Sequence, residues 1–256
     1  ERMSGRPLQS QSMLAHRLRD LGRYAEALPL LEEALAHFRA TGSRRWISAV
    51  AHRLALTWLQ LGQFARAQRI LADDPGDPAP GSQAMWEVCL AELARLVVPP
   101  RRSDALAHIG NALGRLRQWP EDGAYRLGTL FATAILGPEE GEPLATDLAA
   151  WASARERFGL ALGAHVRAAA CALEQGASRR ALPHVEAALR LAPDYETDSM
   201  YRGELWLTAA RVYEAADERA LAARMVAQGC AWVRDIADHH VPAAFRDSFL
   251  SRNATN

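Results

Sequence analysis

Residues Leu14 to Leu35 read LAHRLRDLGRYAEALPLLEEAL. Two short amphipathic helices meet here at a tight turn, Asp20-Leu21-Gly22-Arg23. Small residues stand where the helices must touch: Ala15 on the first, Ala27 and Ala34 on the second. Tyr24 follows the turn and can pack back on the pair. Such a hairpin cannot bury its apolar stripe alone, so it requires neighbours of the same kind.

The chain supplies them by repetition. The alanine after the turn recurs at Ala27, Ala67, Ala105, Ala145, Ala181 and Ala222, at spacings of 40, 38, 40, 36 and 41 residues. Seven residues later stand Ala34, Asp74, Ala112, Ala152, Ala188 and Gly229. Asp74 breaks the small-residue rule and Gly229 bends it. Six units follow, near 12–40, 45–72, 83–117, 123–158, 160–193 and 199–238, read as one domain over 1–256. Residues 1–11 are polar and expected to fray. Asp73 to Ser82, DDPGDPAPGS, is the clearest loop in the chain. Ser103 and Ser178 are candidate helix caps. Gly137, Pro138 and Gly141 are expected to form the turn of the fourth unit. The last segment, Val241 to Arg252, reads as a short amphipathic helix over the open end of the stack. No alternating strand pattern appears, so the fold class is all-α, about twelve helices and a cap.

Thirty basic residues balance thirty acidic ones. A neutral chain has no bulk electrostatic grip on nucleic acid, and the Arg101-Arg102 and Arg179-Arg180 pairs sit among acids. Every basic residue is arginine, which together with the richness in Ala and Leu reads as a GC-rich bacterial genome. The three cysteines, Cys89, Cys171 and Cys230, form no CxxC pair and read as reduced thiols, Cys171 a buried one. No signal peptide or membrane-length apolar run is present, so the expected location is the cytoplasm. The chain opens on Glu1 and closes in a polar tail, and it is expected to be a piece of a larger protein.

Catalytic constellations are missing from the sequence. There is no GxxxxGK[ST] loop, no GxSxG and no HExxH. His239-His240 beside Asp235 and Asp238 could be metal ligands, but a polar helix end explains them as well. His165 and Cys171 lie six residues apart, on different sides of a helix. No catalysis, cofactor or metal is expected.

The repeated residues resemble the tetratricopeptide repeat: Leu14, Ala15, Gly22, Tyr24, Ala27, Ala34 and Leu35 in the first unit; Leu54, Ala55, Trp58, Gly62, Phe64 and Ala67 in the second. The fifth matches at Ala169, Gly176, Ala181, Ala188, Leu189 and Pro193, and the sixth at Trp206, Ala210, Tyr213 and Ala222. Units three and four match weakly. The period is longer than that family's standard of about 34 residues. Longer repeats of this kind are similar to the C-terminal regions of large bacterial regulators and signalling ATPases, and VPAAFRDSFLSRNATN is similar to the closing segment of such proteins.

The resemblance implies a right-handed superhelical solenoid whose first helices line a concave groove. The groove positions it implies are Ser12, His16, Arg19 and Asp20 in unit one, and His52, Leu56, Leu59 and Gln60 in unit two. Unit five offers Val166, Ala170 and Glu174, and unit six offers Glu204, Leu207, Arg211 and Glu214. Leu90, Ala94, Leu130 and Ala134 are candidates in the weaker middle. A groove charged at its ends and apolar between suits a protein or peptide segment. Upstream ATPase or DNA-binding modules of the same chain are expected partners, and nucleic acid or membrane is not. The alternative is a small-ligand receptor whose pocket is lined by Trp86, Leu90 and Leu130.

Overall fold

Each helix in this chain has one apolar stripe, and the stripes are satisfied only by stacking. A computed structural model describes residues 8–253 and 255–256, and among them there are thirteen α-helices and no strand. They pair as α1 (Leu8–Asp20) with α2 (Tyr24–Thr41), α3 (Arg44–Gln60) with α4 (Phe64–Leu71), and α5 (Pro80–Leu96) with α6 (Arg102–Leu116). Then come α7 (Gly123–Ala132) with α8 (Pro138–Ser153), α9 (Phe158–Glu174) with α10 (Ser178–Leu191), and α11 (Gly203–Ala215) with α12 (Arg219–His239). A 3-10 turn at Ala243–Phe245 leads into α13 (Arg246–Arg252). Neighbouring first helices pack on one another along the series, from α1 on α3 to α9 on α11, which is a helical-repeat solenoid.

The aligned alanines do what their size allows. Ala27, Ala67, Ala105, Ala145 and Ala181 are buried at the helix crossings, as are Ala34, Ala112, Ala152 and Ala188. Gly229 is the exception with a reason: a side-chain carbon there would lie 2.8 Å from Cβ of Trp206. Asp74 lies beyond the short α4, where its carboxylate accepts from the Gly76 amide at 2.9 Å.

Several boundaries differ from expectation for local reasons. Of the residues expected to fray, 1–7 lie outside the described residues, whereas Leu8 to Gln11 are helical. Pro80, Gly81 and Ser82 belong to α5 rather than to the loop, because proline is tolerated in a first helical turn. Ser103 and Ser178 are not caps. The N-cap positions are Arg101 and Ala177, and neither serine side chain makes a capping bond. In the fourth unit the turn precedes Pro138, and Gly141 lies inside α8. A side chain there would meet Sγ of Cys171 at 2.8 Å. Cys171 is buried as expected, and its thiol reaches the Thr133 carbonyl at 3.6 Å.

The end of the chain does more than the expected cap. The described part of residues 241–256, here called the strap, packs on α12 of the sixth unit, where Arg246 donates to the Ala237 carbonyl at 2.9 Å. It also crosses to the turns of the first and second units. The His240 carbonyl accepts from the Ala25 amide at 2.7 Å. The Ser248 hydroxyl donates to the Leu61 carbonyl at 2.7 Å and accepts from the Gln63 amide at 2.7 Å. Phe249 is fully buried, 5.9 Å from the Tyr24 ring and 6.2 Å from Tyr201. Phe245 stands edge-on to Trp58 at 5.1 Å, and the Arg66 guanidinium lies 5.0 Å from both rings. One apolar core therefore runs from Ala15 and Tyr24 through Trp58 and Trp86 to Ile236, Val241 and Phe249. The stack closes on itself.

Candidate functional site

Closing the stack divides the expected groove residues into two groups. The first belongs to a seam between α1 and the loop before α11. Arg19 and Asp20 have side chains 0% and 1% exposed and are joined by hydrogen bonds of 2.7 and 3.2 Å to one carboxylate oxygen. Arg19 also donates to Ser199 at 2.9 Å and to Nδ1 of His16 at 3.0 Å. Ser12 is buried and accepts from Arg53 at 2.7 Å. Arg19 thus faces the protein's own loop and Ser12 faces α3. Burial, then the charges of Arg53 and Arg19, hold His52 well below the usual histidine range, so it is neutral.

His16, Asp20 and Asp198 bring three ligating atoms within 4.8 Å of one another, the geometry of a metal cluster. The tautomer argues against one. Arg19 can only donate, so Nδ1 of His16 accepts and its proton sits on Nε2, the atom facing Asp20 at 3.6 Å and Asp198 at 3.7 Å. No lone pair remains there for a metal. Arg17 already stands 3.6 Å from the same Asp20 oxygen. Burial, then the Arg19 charge, lower the His16 pKa, so His16 is neutral.

The second group lines a cavity of about 270 Å³ formed mainly by first helices. Leu56, Leu59 and Gln60 reach it from α3, Ala170 and Glu174 from α9, and Glu204, Leu207 and Arg211 from α11. Two ion pairs stand in its wall. Arg95 contacts Glu92 at 2.6 Å, and Arg167 contacts Glu204 at 2.7 Å. Arg211, Glu174 and Arg252 also line it and form no ion pair among the described residues. Phe64, Phe131 and Met200 supply apolar surface, and Arg252, Asn253 and Thr255 of the strap form one wall.

Glu214 is exposed and does not line this cavity, and Val166 is buried. Neither do Leu90, Ala94, Leu130 and Ala134; Ala94 and Leu130 are buried in the core. Of the residues expected to line the alternative pocket, Trp86 and Leu130 are buried in the core and Leu90 is half-buried. The lining residues missed were Glu92, Arg95 and Phe131 in the middle units and Arg167 in the fifth. A signal was present: Glu92 and Arg95, three apart, are the charged residues of the otherwise apolar segment AMWEVCLAELARLV after its Glu87, and Arg167 is alone in GLALGAHVRAAACAL.

Outside the cavity, His239 pairs with Asp235 at 3.1 Å on the exposed end of α12, as a polar helix end would. His165 and His184 face each other across α9 and α10 with their Nδ1 atoms 3.0 Å apart. Burial, then the His184 and Arg190 charges, lower the His165 pKa to about 4. In the unfolded chain the imidazole takes up its proton near pH 6.5; in the folded chain it does not until about pH 4. Stability is therefore complete above pH 6.5 and falls as the pH drops toward 4. His165→Gln should remove about 1 kcal/mol of that acid sensitivity, after discounting for solvent screening. Thermal melts of both proteins at pH 7.5 and 4.5 check this, and equal acid losses would refute it.

A family model described as tetratricopeptide repeat matches residues 8–38, which span α1 and most of α2. No curated protein matches the chain. Residues 8–38 thus carry a tetratricopeptide-like repeat, and repeats of that family generally mediate protein–protein interaction. No helix among the described residues is long and apolar enough to cross a membrane.

Proposed function

We propose that this chain is a non-catalytic interaction or effector-sensing module of a larger bacterial regulatory protein in the cytoplasm. It takes a protein or peptide segment at its concave face. That segment comes from a separate protein or from ATPase or DNA-binding modules of the same protein. The observation that carries the reading is the cavity itself. Five first helices converge on it, with Glu174 and Arg211 free of ion pairs among the described residues, beside the apolar walls of Leu56, Phe131 and Leu207. Mixed polar and apolar lining suits a peptide side of alternating character. The regulatory context rests on the long repeat period and on the resemblance of the closing segment. Binding would act by shifting the populations of packing states, since an occupant favours whichever arrangement it contacts better.

The test is capture from lysate of the source cell, using the wild-type chain, a Gln60→Ala/Glu174→Ala/Arg211→Ala variant and a Glu214→Ala control. All must first be shown equally helical and stable. The expected result is a protein retained by wild type and control and lost by the triple variant. A protein retained equally by all would move recognition away from the cavity. Retention of none would refute a separate protein partner.

A further inference from the structure

The strap is held differently from the rest of the chain. Among the described residues of the strap only Val241, Ser248 and Phe249 are buried, whereas α9 buries ten of its 17 residues. Its helix has seven residues, too few to persist without its contacts. The contacts it makes are those of a bound peptide. Two aromatic rings four residues apart, Phe245 and Phe249, enter sites made by Trp58 with Arg66 and by Tyr24 with Tyr201. A hydroxyl between them, on Ser248, is read by the Leu61 carbonyl and the Gln63 amide. Asn253 then donates to the Gln60 carbonyl at 3.1 Å.

The receiving edge is shaped for this close approach. A side-chain carbon on Gly62 would lie 2.5 Å from the Ser248 carbonyl oxygen, and one on Gly22 would lie 2.7 Å from Ile236. At Gly176, the equivalent turn of the fifth unit, nothing lies within 4 Å.

We propose that the turn edge of the first two units is a helix-docking surface and that the strap is its resident, displaceable occupant. The partner it fits is an amphipathic helix with aromatic residues at i and i+4 and a small hydroxyl residue at i+3. Because Arg252, Asn253 and Thr255 wall the cavity, displacing the strap also opens that cavity. The proposal extends the interaction reading above to a second surface, and its test requires no partner from the cell.

Native-state hydrogen exchange on the full chain gives the first readout. Amides of α13 should exchange at least tenfold faster than those of α9, through an opening with much weaker dependence on denaturant. Phe249→Ala and, separately, the milder Phe245→Ala should speed α13 exchange tenfold or more while α9 stays protected. Exchange of α13 only together with α9, at the same denaturant dependence, would overturn the proposal. The second readout is a labelled peptide of residues 241–256. It should bind the full-length Phe245→Ala/Phe249→Ala chain saturably and the wild-type chain at least tenfold more weakly. A peptide lacking both phenylalanines should not bind. Failure of the native peptide to bind the double variant, with α9 still protected, would also overturn it. A failed capture of a cellular protein would leave both readouts unchanged, so the two readings fail separately.

Discussion

Replacing Asp20 with alanine should destabilise the chain by about 3–5 kcal/mol, the usual result of stranding a buried charge. The Arg19 side chain is 0% exposed and its ion-pair partner is Asp20 alone. Its remaining contacts, Ser199 and His16, are neutral acceptors that cannot balance a guanidinium. In a chain of this size the loss corresponds to a melting temperature lower by roughly 10 °C. The informative comparison is Arg19→Met/Asp20→Leu, which removes both charges and keeps the volume. That double variant should recover most of the loss, because the pair's desolvation offsets most of its attraction. Thermal unfolding followed by circular dichroism measures both. If the double variant falls as far as Asp20→Ala, the seam is held by the charges themselves and not merely intolerant of one left alone.

The second large effect separates two demands made on a turn glycine. Gly62 has φ +68° and Gly176 has φ +71°, a region costly for any side chain. Gly176→Ala should therefore cost about 1 kcal/mol and no more, since nothing crowds it. Gly62→Ala adds a collision with a backbone carbonyl at 2.5 Å. Backbone cannot swing aside as the end of a side chain can, so the total should reach about 2–4 kcal/mol. Gly62→Ala should also expose the 241–256 segment to proteolysis, while Gly176→Ala should not. Equal melting temperatures for the two variants would remove the close approach from the account.

The helical pairs were legible because three constraints repeat: a small residue at each crossing, a turn glycine, and an apolar stripe of helical period. Where those residues were present, as at Ala27 with Gly22 or Ala181 with Gly176, the helices fall where they were placed. The expectation lost accuracy where proline or glycine was read only as a breaker. Pro80 opens a helix, and Gly141 lies inside one to make room for Cys171. The cavity was legible in part, because the tetratricopeptide resemblance implies Leu56, Gln60, Glu174 and Arg211 as groove positions, and all four line it. Arg19 and Asp20 obey the same register yet face a seam. What buries them is a loop about 180 residues away, and periodicity is silent about contacts at that separation. The strap was seen as an amphipathic helix, but an apolar stripe does not say which surface it will cover.

The bond from the Ala25 amide to the His240 carbonyl has a consequence for how such a chain can change in length. An open stack of hairpins can gain or lose one unit and keep every remaining interface, because each unit touches only its neighbours. Here the sixth unit and the segment after it must arrive at the first two in one orientation. An extra hairpin of about 38 residues, or a missing one, would carry Ile236 and Phe249 past Gly22 and Tyr24 and leave both edges unmatched. Duplication and deletion of whole repeats, the ordinary route by which solenoids vary, is closed to this one unless the contact at the turns is abandoned. Six units are a geometric requirement of the closure.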